Sequence, residues 1–316
     1  MPVHLSPRND DARGGPPRPT RREFLSRAAA GLLVAGGAGR LLGGAFGAST
    51  PLDERGDTRV WALLADTHIP ALLTEQNRDF HMASNLVKTV TDALVEKPAL
   101  ALVNGDMARV EGRAGDYASF MDLVEPFRLA GVPLHATLGN HDHRDNFRAA
   151  VMEAGLGPAA VTEKHTGAVD AGPATWILLD SLEKVNSTPG HLGKDQIDWL
   201  VRELDREKEK PACLFLHHNP EKTSIGLKDT EELLQAIRPR RRVKAVFFGH
   251  THTWKRWEDE GIHMVNLPAT AYAFSEGEPT GWVLARARPD GIEIELRAIG
   301  AAHADHGKKF ELRWRS

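Results

Sequence analysis

The sequence predicts a layered α/β protein, two sheets packed together with helices outside. Three observations carry that expectation. From Arg59 onward, short apolar runs alternate with amphipathic segments. Several apolar runs end abruptly in polar clusters, as buried strands do when their ends deliver side chains to a site. No internal repeat, and no linker long enough to split the chain, interrupts the alternation. With 316 residues, 41% hydrophobic and 26% charged, the chain has an ordinary globular composition.

The first fifty residues stand apart. Residues 1 to about 20 are polar and rich in Pro, Gly and Arg, which predicts disorder. Thr20-Arg21-Arg22-Glu23-Phe24-Leu25 then leads into a mildly apolar, Gly/Ala-rich stretch. This order of charge block, apolar block and small-residue end resembles a twin-arginine signal peptide, which together with the disordered N-terminus takes up residues 1–48, with a cleavage point near Ala45 and Gly47. Arg40 interrupts the apolar block, so no stable membrane span is expected. The resemblance implies export to the periplasm or another extracytoplasmic space, with the twin-arginine machinery as partner. A chance Arg-Arg pair on a disordered arm is the alternative. Setting this segment aside leaves about 270 residues, enough for one sizeable buried core.

The remaining elements follow in order. Val60 to Ala65 reads as a buried strand. Residues 79–96 carry helical spacing through Met82, Leu86, Val90 and Leu94, and Lys97-Pro98 stops that helix. Ala99 to Val103 is a second strand, Asp116 to Leu129 a helix, and Val132 to Thr137 a third strand. Trp176 to Leu179 is a strand, and Lys194 to Glu207 a helix with Ile197, Leu200, Val201 and Leu204 on one face. Cys213 to Leu216 and Val243 to Phe248 are further strands, and Pro289-Asp290-Gly291 marks a hairpin turn. Cys213 is the single cysteine, so no internal disulfide forms, and its apolar neighbours predict a buried small hydrophobe. The net charge of -3 provides no field for holding nucleic acid or an anionic membrane.

Polar residues fall at five strand ends. Asp66 and His68 follow the first strand, Asp106 the second, and Asn140 and His141 the third; His217 ends the Cys213 strand, and His250 and His252 the Val243 strand. Imidazole nitrogen with carboxylate or amide oxygen is the donor set that first-row metal ions take. In Asp-x-His and His-x-His, alternate residues of an extended chain share one side. Glycine before Asp106, Asn140 and His250 is expected to let the backbone turn sharply. Singly each segment is a common turn or surface pair; in this order, each after an apolar run, they point to one metal site.

These segments, Asp66-Thr67-His68, Gly105-Asp106, Gly139-Asn140-His141-Asp142, His217-His218 and Gly249-His250-Thr251-His252, resemble the calcineurin-like metallophosphoesterase superfamily from about Arg59 to about Phe274. The resemblance implies a two-sheet sandwich with a dinuclear centre and a catalytic domain over residues 57–316. By motif position it implies Asp66, His68, Asp106 and His252 on one metal. Asp106 would bridge to a second, completed by Asn140, His217 and His250. Fe, Mn and Zn all accept this set. Two such ions hold phosphoryl oxygens and generate a bridging hydroxide that attacks a small-molecule phosphoester. His141 matches the family's catalytic histidine, not a ligand, placed to protonate the leaving oxygen or stabilise its charge.

The subfamily is narrowed by neighbours. Purple acid phosphatases carry a tyrosine where Arg109 stands, and Ser/Thr protein phosphatases an Asp-Arg-Gly that this chain lacks. Gly139-Asn140-His141-Asp142-His143-Arg144 with His217-His218-Asn219-Pro220 instead resembles the cyclic-nucleotide and glycerophosphodiester phosphodiesterase branch, from which Asn219 and His143 depart. A phosphodiesterase is the first reading, a phosphomonoesterase the second, and an inactive metal-binding scaffold the third. Arg144 fits either a phosphate contact or a solvent-facing helix start. His218 fits a place in the pocket or beneath it, and His143 either. Trp254 and Tyr272 fit a pocket wall for a base or sugar, or plain packing. His81, His135, His165, His191 and His263 match no motif.

Overall fold

The computed structural model describes residues 58–152, 163–299 and 303–316. Residues 1–48, with the signal-like segment, lie outside the described residues. Among the described residues no helix is long and apolar enough to cross a membrane.

The strands are β1 (Arg59–Leu64), β2 (Leu100–Asn104), β3 (Leu134–Thr137), β4 (Gly167–Asp170), β5 (Thr175–Leu178), β6 (Ala212–Phe215), β7 (Val243–Phe248), β8 (Lys255–Asp259), β9 (Ile262–Asn266), β10 (Gly281–Arg288), β11 (Gly291–Ala298) and β12 (Lys309–Arg313). The helices are α1 (Met82–Val95), α2 (Ala114–Leu129), α3 (Arg144–Met152), α4 (Lys194–Arg206) and α5 (Thr230–Ile237). They build two six-stranded sheets, in order β12-β11-β10-β1-β2-β3 and β4-β5-β6-β7-β9-β8. In the first, β1, β2 and β3 run parallel, and β10 joins β1 antiparallel. In the second, β5, β6, β7 and β9 run parallel between antiparallel edge strands β4 and β8.

Side-chain alternation sorts each central strand between two cores. Trp61 and Leu63 of β1, Trp176 of β5, Cys213 and Phe215 of β6, and Ala245 and Phe247 of β7 meet in one cluster between the sheets. Ile177, Leu214, Val246 and Phe248 point the other way and pack with Leu200 and Leu204 of α4 and Leu233 and Ile237 of α5. On the far side of the first sheet, Trp282 of β10 donates its indole N–H to Asp92 of α1 at 2.9 Å. Strands buried on both faces read as unbroken apolar runs, which is why β1, β6 and β7 were legible. Cys213 is free and buried, and burial pushes its thiol up. The parallel directions of β1, β2, β3 and of β6 and β7 bring their carboxyl ends to one edge of the sandwich.

Candidate metal centre

Backbone strain marks this edge. Asp66, His68, Asp106, His250 and His252 have φ of 51°, 44°, 49°, 71° and 52°. Such left-handed conformations are uncommon outside glycine and are least disfavoured for Asp, Asn and His; five in one site persist only when the surroundings impose them. The loops are tied together: Asp66 N–H donates to Gly105 C=O at 3.1 Å, His68 N–H to Asp106 C=O at 2.9 Å, and Gly249 N–H to His217 C=O at 3.0 Å. The sharp turn expected at all three glycines is found at one of them. Gly105 does take φ 79°. Gly139 and Gly249 are instead points of close approach: a Cβ there would lie 2.1 Å from Asp106 Oδ1 and 2.4 Å from Asp66 Oδ2 respectively. Each makes room for a carboxylate from another segment.

Three overlapping groups of donor atoms form here, each within 4.8 Å: Asp66, His68 and His252; His68, Asp106 and His141; Asp106, His217 and His250. Asp106 lies between the others, with Oδ2 at 3.2 Å from His217 Nε2 and 3.7 Å from His68 Nε2. Asp66 Oδ1 is 3.4 Å from His252 Nε2. Asn140 is buried and directly precedes His141, whose backbone N–H donates to Asp106 Oδ1 at 2.8 Å.

Tautomers decide what the ring nitrogens want. His68 Nδ1 faces Arg109 C=O at 3.2 Å, His217 Nδ1 faces Asn104 C=O at 3.0 Å, and His252 Nδ1 faces Tyr272 C=O at 2.6 Å. A carbonyl only accepts, so each Nδ1 carries the proton, and each ring, when neutral, turns a bare Nε2 lone pair inward. His68 Nε2 and His252 Nε2 meet at 3.1 Å. Only a cation, proton or metal, reconciles two such nitrogens. Asn140 Oδ1 and His250 Nε2 are also buried without a hydrogen-bond partner among the described residues. Imidazole, carboxylate and amide donors, fixed from behind and unpaired in front, fit metal ions.

The electrostatics agree. Burial pushes His68 down to about 3 and His250 down to about 4, against the pull of Asp106, so both rings are neutral donors. For His217 burial also opposes the charged form, but Asp106 and Asp66 overcome it and raise the ring to about 9. Burial works to raise both carboxylates; His217 nonetheless holds Asp66 below and Asp106 well below the ordinary range. The potential that makes a proton bind His217 tightly also draws a metal ion.

The remaining predicted residues sort as follows. His141 is half-buried, with Nδ1 at 2.8 Å from Val110 C=O, so its free nitrogen is Nε2. His218 is fully buried: Ser181 Oγ accepts from its N–H at 3.1 Å and faces its Nδ1 at 2.8 Å. The hydroxyl thus occupies Nδ1, and the His218 ring lies 4.7 Å from that of His250 between centroids. Arg144 takes neither expected place. Its guanidinium pairs with the buried Asp180 at 2.7 and 3.0 Å and caps Leu182 C=O. Trp254 belongs to the core between the sheets and donates to Asp305 at 3.2 Å, whereas Tyr272 lies 5.0 Å from His68 and 4.8 Å from His252. His143 Nδ1 lies 3.5 Å from Asn146 N–H at the start of α3, and His263 Nε2 lies 2.7 Å from Arg313 C=O. His135 and His165 pack edge-on against Trp176 and Phe147.

Sequence reasoning missed three supports. Asn104 ends β2 and donates to Leu216 and Phe247 carbonyls of the other sheet at 3.0 and 3.2 Å, joining the two halves of the site. A polar residue closing an apolar run was the available signal. Asp142 accepts from Met107, Ala108 and Gly139 N–H and from Tyr117 O–H. Phe274, half exposed, stacks on His252.

Comparison with known proteins accords with this geometry. The model of the calcineurin-like phosphoesterase family matches residues 61–254. A Synechococcus sp. (strain WH7803) protein named "Probable cyclic nucleotide phosphodiesterase" is 31% identical over 256 residues, covering 75% of this chain and 92% of the relative. A 3',5'-cyclic adenosine monophosphate phosphodiesterase of Pseudomonas aeruginosa is 27% identical over 222 residues, covering 68% and 77%. A dimetal phosphatase from Danio rerio shares the fold at TM-score 0.64 and 15% identity, covering 82% of this chain and all of its own. The chain belongs to the calcineurin-like phosphoesterase family and is a metal-dependent phosphoester hydrolase.

Proposed function

We propose that the chain hydrolyses phosphodiesters at a centre of two metal ions. Asp66, His68, Asp106 and His252 would hold one ion, and Asp106, Asn140, His217 and His250 the other, with Asp106 shared. The observation that carries this reading is the meeting of His68 Nε2 and His252 Nε2 at 3.1 Å with both Nδ1 atoms committed to carbonyls. Two ions, when bound, supply the charge that clamps phosphoryl oxygens and activates water for in-line attack.

The chain's own groups do the rest. The carbonyls of Arg109, Asn104 and Tyr272 hold three imidazoles in orientation, so little reorganisation is needed when a ligand arrives. Val110 C=O fixes His141 so that any proton it gives departs from Nε2, towards the leaving oxygen in this reading. The names of the two phosphodiesterase relatives support a diester, with cyclic nucleotides as the class.

The test is metal content of the purified protein with rates on bis-(p-nitrophenyl) phosphate, p-nitrophenyl phosphate and 3',5'-cyclic adenosine monophosphate. Diester rates above monoester rates support the proposal. Faster monoester turnover overturns the diester assignment, and a loaded protein inactive on all three restores the scaffold reading. We further propose export by the twin-arginine route, on Arg21-Arg22 ahead of a modestly apolar block. Lysines at both positions should retain the protein in the cytoplasm, and unchanged export would remove the proposal.

A further inference from the structure

Phe274 is a large aromatic side chain left 53% exposed at the rim of the candidate centre, and no step above uses it. Among the described residues the other exposed large hydrophobics, Leu72, Val95, Leu129 and Ile225, are aliphatic. Its ring lies 4.1 Å from the His252 imidazole at an interplanar angle of 19°, a parallel stack. With one face on a ring that is itself anchored to Tyr272 C=O, the exposed remainder offers a flat apolar surface to solvent.

The position is braced. Arg78 donates to Phe274 C=O at 3.3 Å, and Tyr272 meets the Phe274 ring edge-on at 5.7 Å. Arg109 sits 6.0 Å over the Tyr272 ring and is held by Glu75 at 2.8 Å, which places a cation on the same rim. An exposed aromatic next to a cation and a cluster of metal-type donors is the composition of a site for a planar group attached to a phosphate. Trp254, which the sequence offered for this role, is in the core, and Tyr272 is buried beneath.

The geometry points to Phe274 as the platform on which the nucleobase of a nucleotide phosphodiester stacks while its phosphate reaches the centre. This inference rests on the phosphodiester reading above. Stacking uses the π-face that every base has, so the platform selects for a base over no base while discriminating little between adenine and guanine. A glycerol alcohol group has no such face and gains nothing from it.

The test separates the platform from the reading beneath it. Equilibrium binding of adenosine 5'-phosphate, guanosine 5'-phosphate and inorganic phosphate is measured on the metal-loaded full chain. Phe274→Ala should weaken both nucleotides by about 5-fold or more, the lower end of what base–aromatic stacking provides, and leave phosphate within about twofold. Phe274→Leu, which keeps apolar volume and guards against misfolding, should behave as Ala, and Phe274→Trp should restore nucleotide binding. Equal weakening of phosphate and nucleotides would make the ring a shield for His252 and overturn the platform. So would a Leu variant that binds nucleotides normally, or a wild type that binds them no better than phosphate. Hydrolysis of 3',5'-cyclic adenosine monophosphate by wild type tests the phosphodiester reading separately. A binding split without that turnover keeps the platform and removes the reading.

Discussion

Asp142 permits a quantitative prediction because its carboxylate is fully buried and its four partners are known. Oδ1 accepts from Ala108 N–H and Tyr117 O–H at 3.1 Å each; Oδ2 accepts from Met107 N–H at 3.3 Å and Gly139 N–H at 3.0 Å. Burial, reinforced by the nearby Asp106 charge, raises this carboxyl from 3.8 to about 6. The folded chain thus holds the proton more tightly than the unfolded one, so stability is lost as pH rises from 3.8 through about 6. That gap corresponds to about 3 kcal/mol at ~1.36 kcal/mol per pH unit. Asp142→Asn has no proton to lose. Its amide oxygen can serve Met107 and Gly139 while its NH₂ turns to Tyr117 Oη, leaving Ala108 N–H and the Tyr117 hydroxyl proton unpaired, the same pattern the protonated acid presents. Urea unfolding of metal-free wild type and variant at pH 4 and pH 7.5 is the assay. The two should agree within about 1 kcal/mol at pH 4, and the variant should be ~3 kcal/mol more stable at pH 7.5. Parallel pH curves, or a variant weaker at pH 7.5, would refute the account of Asp142 as a buried, strained anion.

Three further outcomes are expected. Asp106→Asn should lower affinity at both metal positions together, read as metal per chain against free metal; full double occupancy would exclude a shared ligand. His141→Ala should cut turnover by about 10²–10⁴-fold with both metals retained, and more for an alkoxide leaving group than for nitrophenolate, which departs without a proton. Loss of a metal from that variant would make His141 a ligand, as its place within 4.8 Å of His68 and Asp106 permits. Arg144→Ala should cost about 1–3 kcal/mol of stability, since the buried Asp180 keeps the N–H groups of His165 and Leu182 but loses its cation, with KM unchanged, whereas a phosphate-contacting arginine would raise KM.

The five site segments were legible because each is local. An apolar run of strand length, then a donor residue, is set by the two-residue period and by burial of parallel strands on both faces, and β7 spans the residues 243–248 that the pattern marked. Other ends moved by a residue or two, as with β6 at Ala212–Phe215 and α2 at Ala114–Leu129. Helix α5, the β8–β9 hairpin, β4 and β12 were not assigned, since such short elements hold too few periods to carry a strong signal.

What the sequence by itself determined is the donor set and its order along the chain: carboxylates, amide and imidazoles, each at the end of a run that must be buried. Which nitrogen of each histidine faces inward depends on a carbonyl or hydroxyl brought from elsewhere, Asn104 for His217, Tyr272 for His252 and Ser181 for His218. Whether Gly139 and Gly249 turn the backbone or clear space depends on carboxylates arriving from β1 and β2. Whether Arg144 meets a phosphate or Asp180, and whether Trp254 or Phe274 is the exposed ring, depends on how the two sheets close. Chemistry type is written residue by residue, but orientation, tautomer and exposure are properties of contacts between distant segments, and only the tertiary structure decided them.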